Sequence, residues 1–304
     1  MFEIFRDLRP EPSFRDRFPR PSFMTVTVAL ALLVTPGVGL LAAELRDPAA
    51  DSARFAHEAD LALRGDLLAQ GFAPLSARGE SAVSALAALG VEVMVPERLF
   101  ELESGPAALS GKPADARATE LALAPLAVEL ARYPARFLAR ARLHRLVLCA
   151  KLHEGSEAIP SLPNYHGTLL VDVDADAHYL RRLVHHEVFH FADYADDDQL
   201  SRDPAWLALN DRYFVYGDGG RFRREPGAGR FTSEQPGFVS RYATSALEED
   251  KAETFAMRMC APAQFAALLH DDEILRAKST AVEAQLRKLS PALDDDFFRR
   301  IDGR

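Results

Sequence analysis

The residues best suited to chemistry in this chain are His186-Glu187-x-x-His190. On an α-helix, positions four apart are rotated by only about 40° and displaced by about 6 Å, so the two imidazoles stand side by side. That is the spacing at which a single zinc ion takes two nitrogen ligands. Glu187 lies about 100° further round the helix, close enough to hold a water on the metal without ligating it. The pattern also arises by chance, so its flanks matter. Leu180, Leu183, Val184, Val188, Phe189, Phe191 and Ala192 surround it with apolar side chains, which predicts a buried helix. Two imidazoles and a carboxylate buried without partners would cost on the order of several kcal/mol. A metal compensates that cost; the competing reading is a pair of satisfied core histidines with a buried salt bridge.

A catalytic zinc site keeps three protein ligands and leaves a position for water, so a third ligand is required. Asp196 has the spacing of an extended motif, but Asp193 stands where that turn wants a glycine. His153, His166 and His178 are isolated. The stretch from Thr244 to Met259 offers more. Ser245 and Glu248 have capping-box spacing, which predicts a helix start there. Along that helix Asp250, Lys251, Thr254 and Arg258 form the expected polar face. Glu249 and Glu253 fall instead on the face of Ala252, Ala256 and Cys260, beside Phe255 and Met259. Carboxylates on a small-residue, inward face are unusual. Glu249 is therefore read as the third ligand, and Glu253, one turn on, as the acceptor that orients a ligating histidine.

The combined pattern His186-Glu187-x-x-His190-x-x-Asp193, then Tyr242, then Glu249-x-x-x-Glu253 resembles the catalytic domain of anthrax lethal factor and its relatives, glutamate-liganded (gluzincin-like) zinc metallopeptidases. The resemblance covers roughly residues 143–262. It implies zinc held by His186, His190 and Glu249, Glu187 as general base, and Tyr242 as the group that steadies the oxyanion. Asp193 and Glu253 would support the ligands from behind. It extends neither to the N-terminal half nor to any toxin-delivery module, and the Asp196–Arg241 segment departs from it in length and composition.

These residues need a scaffold. Arg145–Lys151 and Thr168–Val173 have the β-branched and apolar content of strands, with a Gly- and Pro-bearing loop between them. The second strand, just ahead of the histidine helix, could accept a peptide as an added strand, or be an ordinary strand of the sheet. Helices are expected over Ala53–Gln70, Ser81–Leu89 and Ala116–Arg132, the last kinked or divided at Pro125. The expected architecture is α+β: a zincin-like domain over 143–304, with a small mixed sheet and the His-Glu-x-x-His helix, preceded by a mainly helical region over 46–142. Between Asp196 and Arg241, seven aromatic residues from Trp206 to Phe238 alternate with glycines. Such a segment forms either a flexible wall of the cleft or a packed Ω-loop.

Five arginines within the first twenty-two residues precede an uncharged run over 25–43. Residues 1–45 read as a secretory signal, with Met24 as an alternative start, or as a retained membrane anchor; a buried core helix is the third reading. Export places the remainder outside the cytoplasm. There Cys149 and Cys260 could pair or remain free thiols. A net charge of −9, with no basic block beyond the N-terminus, argues against nucleic acid as a partner. The function expected is zinc-dependent peptide-bond hydrolysis by a metal-activated water, on a peptide or protein substrate. The alternatives are a non-catalytic exported or membrane-tethered zinc-binding protein, and a zinc amidase acting on cell-wall peptides.

Overall fold

The computed structural model describes residues 48–75, 81–104, 107–134, 136–220, 227–232 and 234–303. The signal or anchor expected over residues 1–45 lies outside these, and no helix among the described residues is long and apolar enough to cross a membrane. Ten helices and eight strands are described. In chain order they are α1 (Pro48–Ala69), β1 (Phe72–Pro74), α2 (Ser81–Ala88), β2 (Glu92–Pro96), β3 (Phe100–Ser104), β4 (Ala107–Lys112), α3 (Ala116–Leu130), α4 (Phe137–Arg140), β5 (Arg145–Glu154), β6 (Glu157–Ala158), β7 (Ser161–Asn164) and β8 (Thr168–Asp172). The remainder is helical: α5 (Ala177–Asp197), α6 (Pro204–Leu207), a 3-10 turn over Tyr242–Ser245, α7 (Leu247–Cys260), α8 (Pro262–Asp271), α9 (Glu273–Leu289) and α10 (Asp295–Asp302).

All eight strands join one mixed sheet, with β5 at its centre. The first half of β5 pairs in parallel with β2 and β8, and its second half pairs antiparallel with β4 and β6. The region over 46–142, expected to be mainly helical, carries β1–β4 of this sheet beside its four helices. Its short alternating runs, such as Val91–Pro96, become strands because the apolar edge of β5 is there to receive them. The sheet is accordingly larger than expected. The loop expected between β5 and β8 is also partly strand: β7 pairs antiparallel with β8 and forms the sheet's edge.

The sheet is covered on both faces, which explains why its central strands read as continuous apolar runs. Along β5, Leu146, Leu148 and Ala150 face the large core shared with α2, α3, α5 and α7. Val147 and Cys149 alternate to the other face, where Leu63 and Leu67 of α1 cover them. Arg145 enters this layer through partners: it donates to Asp60, Glu92 and Thr168. The strand β8 ends four residues before Asp176, whose carboxylate caps α5 by accepting from the backbone of His178 and Tyr179. Helix α3 runs through Pro125 as one element.

Helix α7 packs against α5 through Phe255, 5.5 Å from the Phe189 ring. Its expected capping box does not form. Ser245 Oγ donates instead to the Tyr242 carbonyl at 2.6 Å, inside the preceding 3-10 turn, and the N-cap Ala246 offers no side-chain acceptor. The expected solvated face of α7 is also buried. Asp250 accepts from Lys278 Nζ at 2.6 Å, with both side chains fully enclosed, and Trp206 Nε1 and Tyr216 OH donate to the same oxygen. Lys251 is held by Asp193 and Asp203. The two cysteines are unpaired, Cys149 buried and Cys260 exposed. Burial pushes the Cys149 thiol up to about 12, so it behaves as a small apolar residue.

Removing one member of a buried ion pair strands the other. Lys278→Met is expected to lower unfolding free energy by about 3–5 kcal/mol in urea titrations, whereas a loss below about 1 kcal/mol would show that the pair is not structurally required.

Candidate metal centre

Helix α5 carries His186, Glu187 and His190, all three buried; the two histidines face α7, and Glu187 meets Ser161 of β7. Helix α7 brings Glu249 to them from its first turn. His186 Nε2 and His190 Nε2 are 3.0 Å apart, and Glu249 Oε2 lies 3.1 Å from the first and 3.4 Å from the second. A tetrahedral zinc with bonds of about 2.0–2.1 Å separates its ligand atoms by about 3.3 Å, so this triangle has the right size. These are the three residues among those described whose ligating atoms converge closely enough for a metal ion. Glu249 Oε2 is enclosed yet makes no well-formed hydrogen bond, and Glu187 Oε2 is likewise buried without a partner. Buried lone pairs without donors are rare. The Glu249 oxygen stands where the two imidazole nitrogens converge on it, so the donor set of His186, His190 and Glu249 fits a divalent cation.

The electrostatics of the metal-free protein point the same way. Burial pulls the His186 pKa down, but the carboxylates of Glu249 and Glu253 outweigh it and raise the pKa to about 10. Burial pushes the Glu249 carboxyl up, yet the two histidine rings beside it hold it below the usual carboxylate range. The pocket thus stabilises a positive charge between its rings and acids, and a proton can fill that role when no cation does.

Behind the triangle, His186 Nδ1 hydrogen-bonds Glu253 Oε1 at 2.9 Å, the contact that fixes which ring nitrogen faces the pocket. Glu253 is itself held by Arg182 and by Ser240 Oγ, the latter at 2.6 Å. Burial raises its pKa, but Arg182 and His186 bring it down to about 2. Arg182 also packs over the Phe231 ring, 4.8 Å from its centroid. Asp193, which the resemblance sets behind a ligand, lies within electrostatic reach of His190 but makes no hydrogen bond to it. Its Oδ1 accepts from Lys251 and Gln285, while its Oδ2 and His190 Nδ1 are both buried without a hydrogen-bond partner.

Tyr242 reaches the site from the 3-10 turn, its ring centroid 6.0 Å from that of His186. Burial and the nearby Glu249, Glu253 and Glu187 raise the pKa of its hydroxyl well above the ordinary value, so it stays a protonated donor. The Asp196–Arg241 segment contributes through Gly220. A Cβ there would stand 2.3 Å from both Glu249 Oε1 and the Tyr242 hydroxyl, so only glycine allows the backbone so close. Gly217 and Gly219 fasten this stretch by donating to the carbonyls of Thr244 and Ser245. The aromatics around it are largely packed: Trp206 and Phe238 are buried, and Phe214 lies 4.4 Å from Phe238, whereas Tyr213 is exposed.

Sequence reasoning missed Ser161, Arg182 and Ser240, whereas Gly220 was legible as one of the glycines of the segment read as a cleft wall or packed Ω-loop. Ser161, on β7, donates to Glu187 Oε1 at 2.6 Å. Arg182 had a local signal, lying four residues before His186 and so sharing a face of α5 with it; the others had none.

No protein-family model matches the chain, and no curated protein matches it. Among solved structures, the fold is similar to that of a Bacteroides caccae ATCC 43185 protein named provisionally as a zinc-binding metallo-peptidase. The likeness has a TM-score of 0.49 and 16% identity, and it covers 76% of this chain and 93% of that one. A likeness of that strength determines neither the family nor the chemistry of this chain.

Because the His186 pKa is raised above neutrality, a metal entering the triangle must displace a proton. Calorimetry of zinc binding in buffers of different ionisation enthalpy is expected to report release of about one proton per metal near pH 7. Affinity should fall about tenfold per pH unit on acidification from about pH 8 to about pH 6. Buffer-independent heats and a flat affinity would contradict the assignment.

Proposed function

We propose that this chain is a zinc-dependent peptidase. The observation that carries the reading is the triangle of buried His186 and His190 with half-buried Glu249, accompanied by the neighbouring carboxylate of Glu187, with one free oxygen, and by the protonated phenol of Tyr242. A site serving only stability has no use for Glu187 or Tyr242, since neither is needed to hold metal.

Zinc bound by these three side chains would polarise an amide carbonyl and acidify water. Glu187 is the general base. Its Oε1 is occupied by the Ser161 hydroxyl, so Oε2 takes the proton of the attacking water. As the C–O bond forms and the C–N bond breaks, Glu187 returns that proton to the leaving amine. The Tyr242 hydroxyl donates a hydrogen bond to the oxyanion, and its raised pKa keeps the donor in place. Glu253, held by Arg182 and Ser240, keeps the His186 ring turned toward the site.

The substrate is an extended peptide. The strand just ahead of α5 was read either as a docking strand or as an ordinary strand of the sheet, and β8 is flanked on both sides, by β5 and β7. A peptide therefore adds to the outer edge of β7, which pairs only with β8 among the described strands and touches the general base. Export through residues 25–43 would place this activity outside the cytoplasm.

Glu187→Gln is expected to retain stoichiometric zinc while losing about 10²–10⁴-fold in kcat on a broad peptide mixture read by mass spectrometry. Undiminished cleavage would overturn the role of Glu187. Tyr242→Phe should lower kcat by about 10²–10³-fold with little change in KM; an effect confined to KM would make Tyr242 a binding residue.

A further inference from the structure

The contact between Ser161 and Glu187 joins the edge strand to the proposed base, and the register of β7 gives it a second meaning. Asp172 N donates to the Pro160 carbonyl at 2.8 Å. The ladder then pairs Ser161 with Val171, Leu162 with Leu170, Pro163 with Leu169 and Asn164 with Thr168. In an antiparallel ladder, mutually hydrogen-bonded pairs alternate with non-bonded ones. Since Pro160 bonds inward, Leu162 and Asn164 also direct their backbone groups toward β8. Ser161 and Pro163 direct theirs to the free edge.

That edge is unevenly equipped. Ser161 presents both an N–H and a carbonyl, but Pro163 presents only a carbonyl, because proline has no N–H to donate. Among the residues of β7, Ser161 is thus the single complete pairing position for an incoming strand. The same residue places its hydroxyl on Glu187 Oε1. Glu187 Oε2, buried and unpartnered, is left as the oxygen free to act.

We infer that Ser161 is a positioning residue with two functions: its main chain takes the substrate backbone, while its hydroxyl holds Glu187 in the rotamer that turns Oε2 to the reacting water. The inference rests on the peptidase reading of the site. Docking and alignment of the base then meet at one residue, so the peptide is registered against the base by a single full backbone pair. A carboxylate held by one short hydrogen bond cannot swing about its side-chain torsions, and misplacement by about 1 Å costs on the order of 10²-fold in rate.

The two functions separate experimentally, because a side-chain substitution leaves the main chain in place. Ser161→Ala in the zinc-loaded chain is expected to lower kcat by about ten- to a hundredfold with KM within about twofold of wild type. Ser161→Thr, which restores the hydroxyl, should recover most of that loss. A second readout needs neither metal nor turnover. In the metal-free chain labelled with ¹³C at glutamate carboxyls, the Glu187 resonance is the one absent from Glu187→Gln. It should move in Ser161→Ala and stay near the wild-type position in Ser161→Thr. An unchanged kcat in Ser161→Ala, a rise in KM alone, or an unmoved resonance would each overturn the assignment. If wild-type zinc-loaded protein cleaves no peptide, the peptidase reading fails by itself, and the carboxyl resonance alone decides whether Ser161 holds Glu187.

Discussion

The structure depends on three hard-to-bury polar atoms being forced together. Two imidazole nitrogens and a carboxylate oxygen sit 3.0–3.4 Å apart between α5 and α7. Lone pairs at that distance, away from water, repel one another unless something positive stands among them. In the metal-free protein the carboxylates of Glu249 and Glu253 raise the His186 pKa to about 10, so a proton can supply that charge. A divalent cation satisfies the same demand with all three atoms at once, and the remaining features of the site can be understood from that requirement.

Holding the triangle in place requires α5 and α7 to be fixed relative to each other. Phe189 and Phe255 supply the apolar contact, and Glu253 crosses between the helices to His186 and Arg182. On the far side of α7, Asp250 gathers Lys278, Trp206 and Tyr216 onto one oxygen, tying α9 and the aromatic segment to the ligand helix. That segment then delivers Gly220 against Glu249 and Tyr242. Much of the polar chemistry buried here is thus positional. A single apolar interface would allow the helices to slide by more than a metal site tolerates.

How much of this was legible in the sequence follows from where each signal lay. His186, Glu187 and His190 share one helix, so the helical period alone relates them. Glu249 and Glu253 were legible as acids on a small-residue face, and the structure brings both to the histidines. Tyr242 entered only through family resemblance, because a 3-10 turn has no periodicity to read. The capping box at Ser245 and Glu248 was misread because the preceding turn had already used the serine hydroxyl. Asp250 and Lys251 resembled a solvated face, but their partners come from α9, α5 and the α6 cap, contacts that local pattern cannot reveal. Ser161 was invisible for the same reason: its approach to Glu187 depends on β7 folding back along β8, which only the sheet order specifies.

The central claim is that His186, His190 and Glu249 enclose one zinc ion. X-ray absorption at the zinc edge, on protein loaded and then dialysed free of excess metal, tests it most directly. The account predicts one zinc per chain, two imidazole nitrogens at about 2.0–2.1 Å, oxygen ligands filling the rest of the shell, and no sulfur. Failure to retain stoichiometric zinc, or a shell containing a cysteine sulfur or a single imidazole, would contradict it.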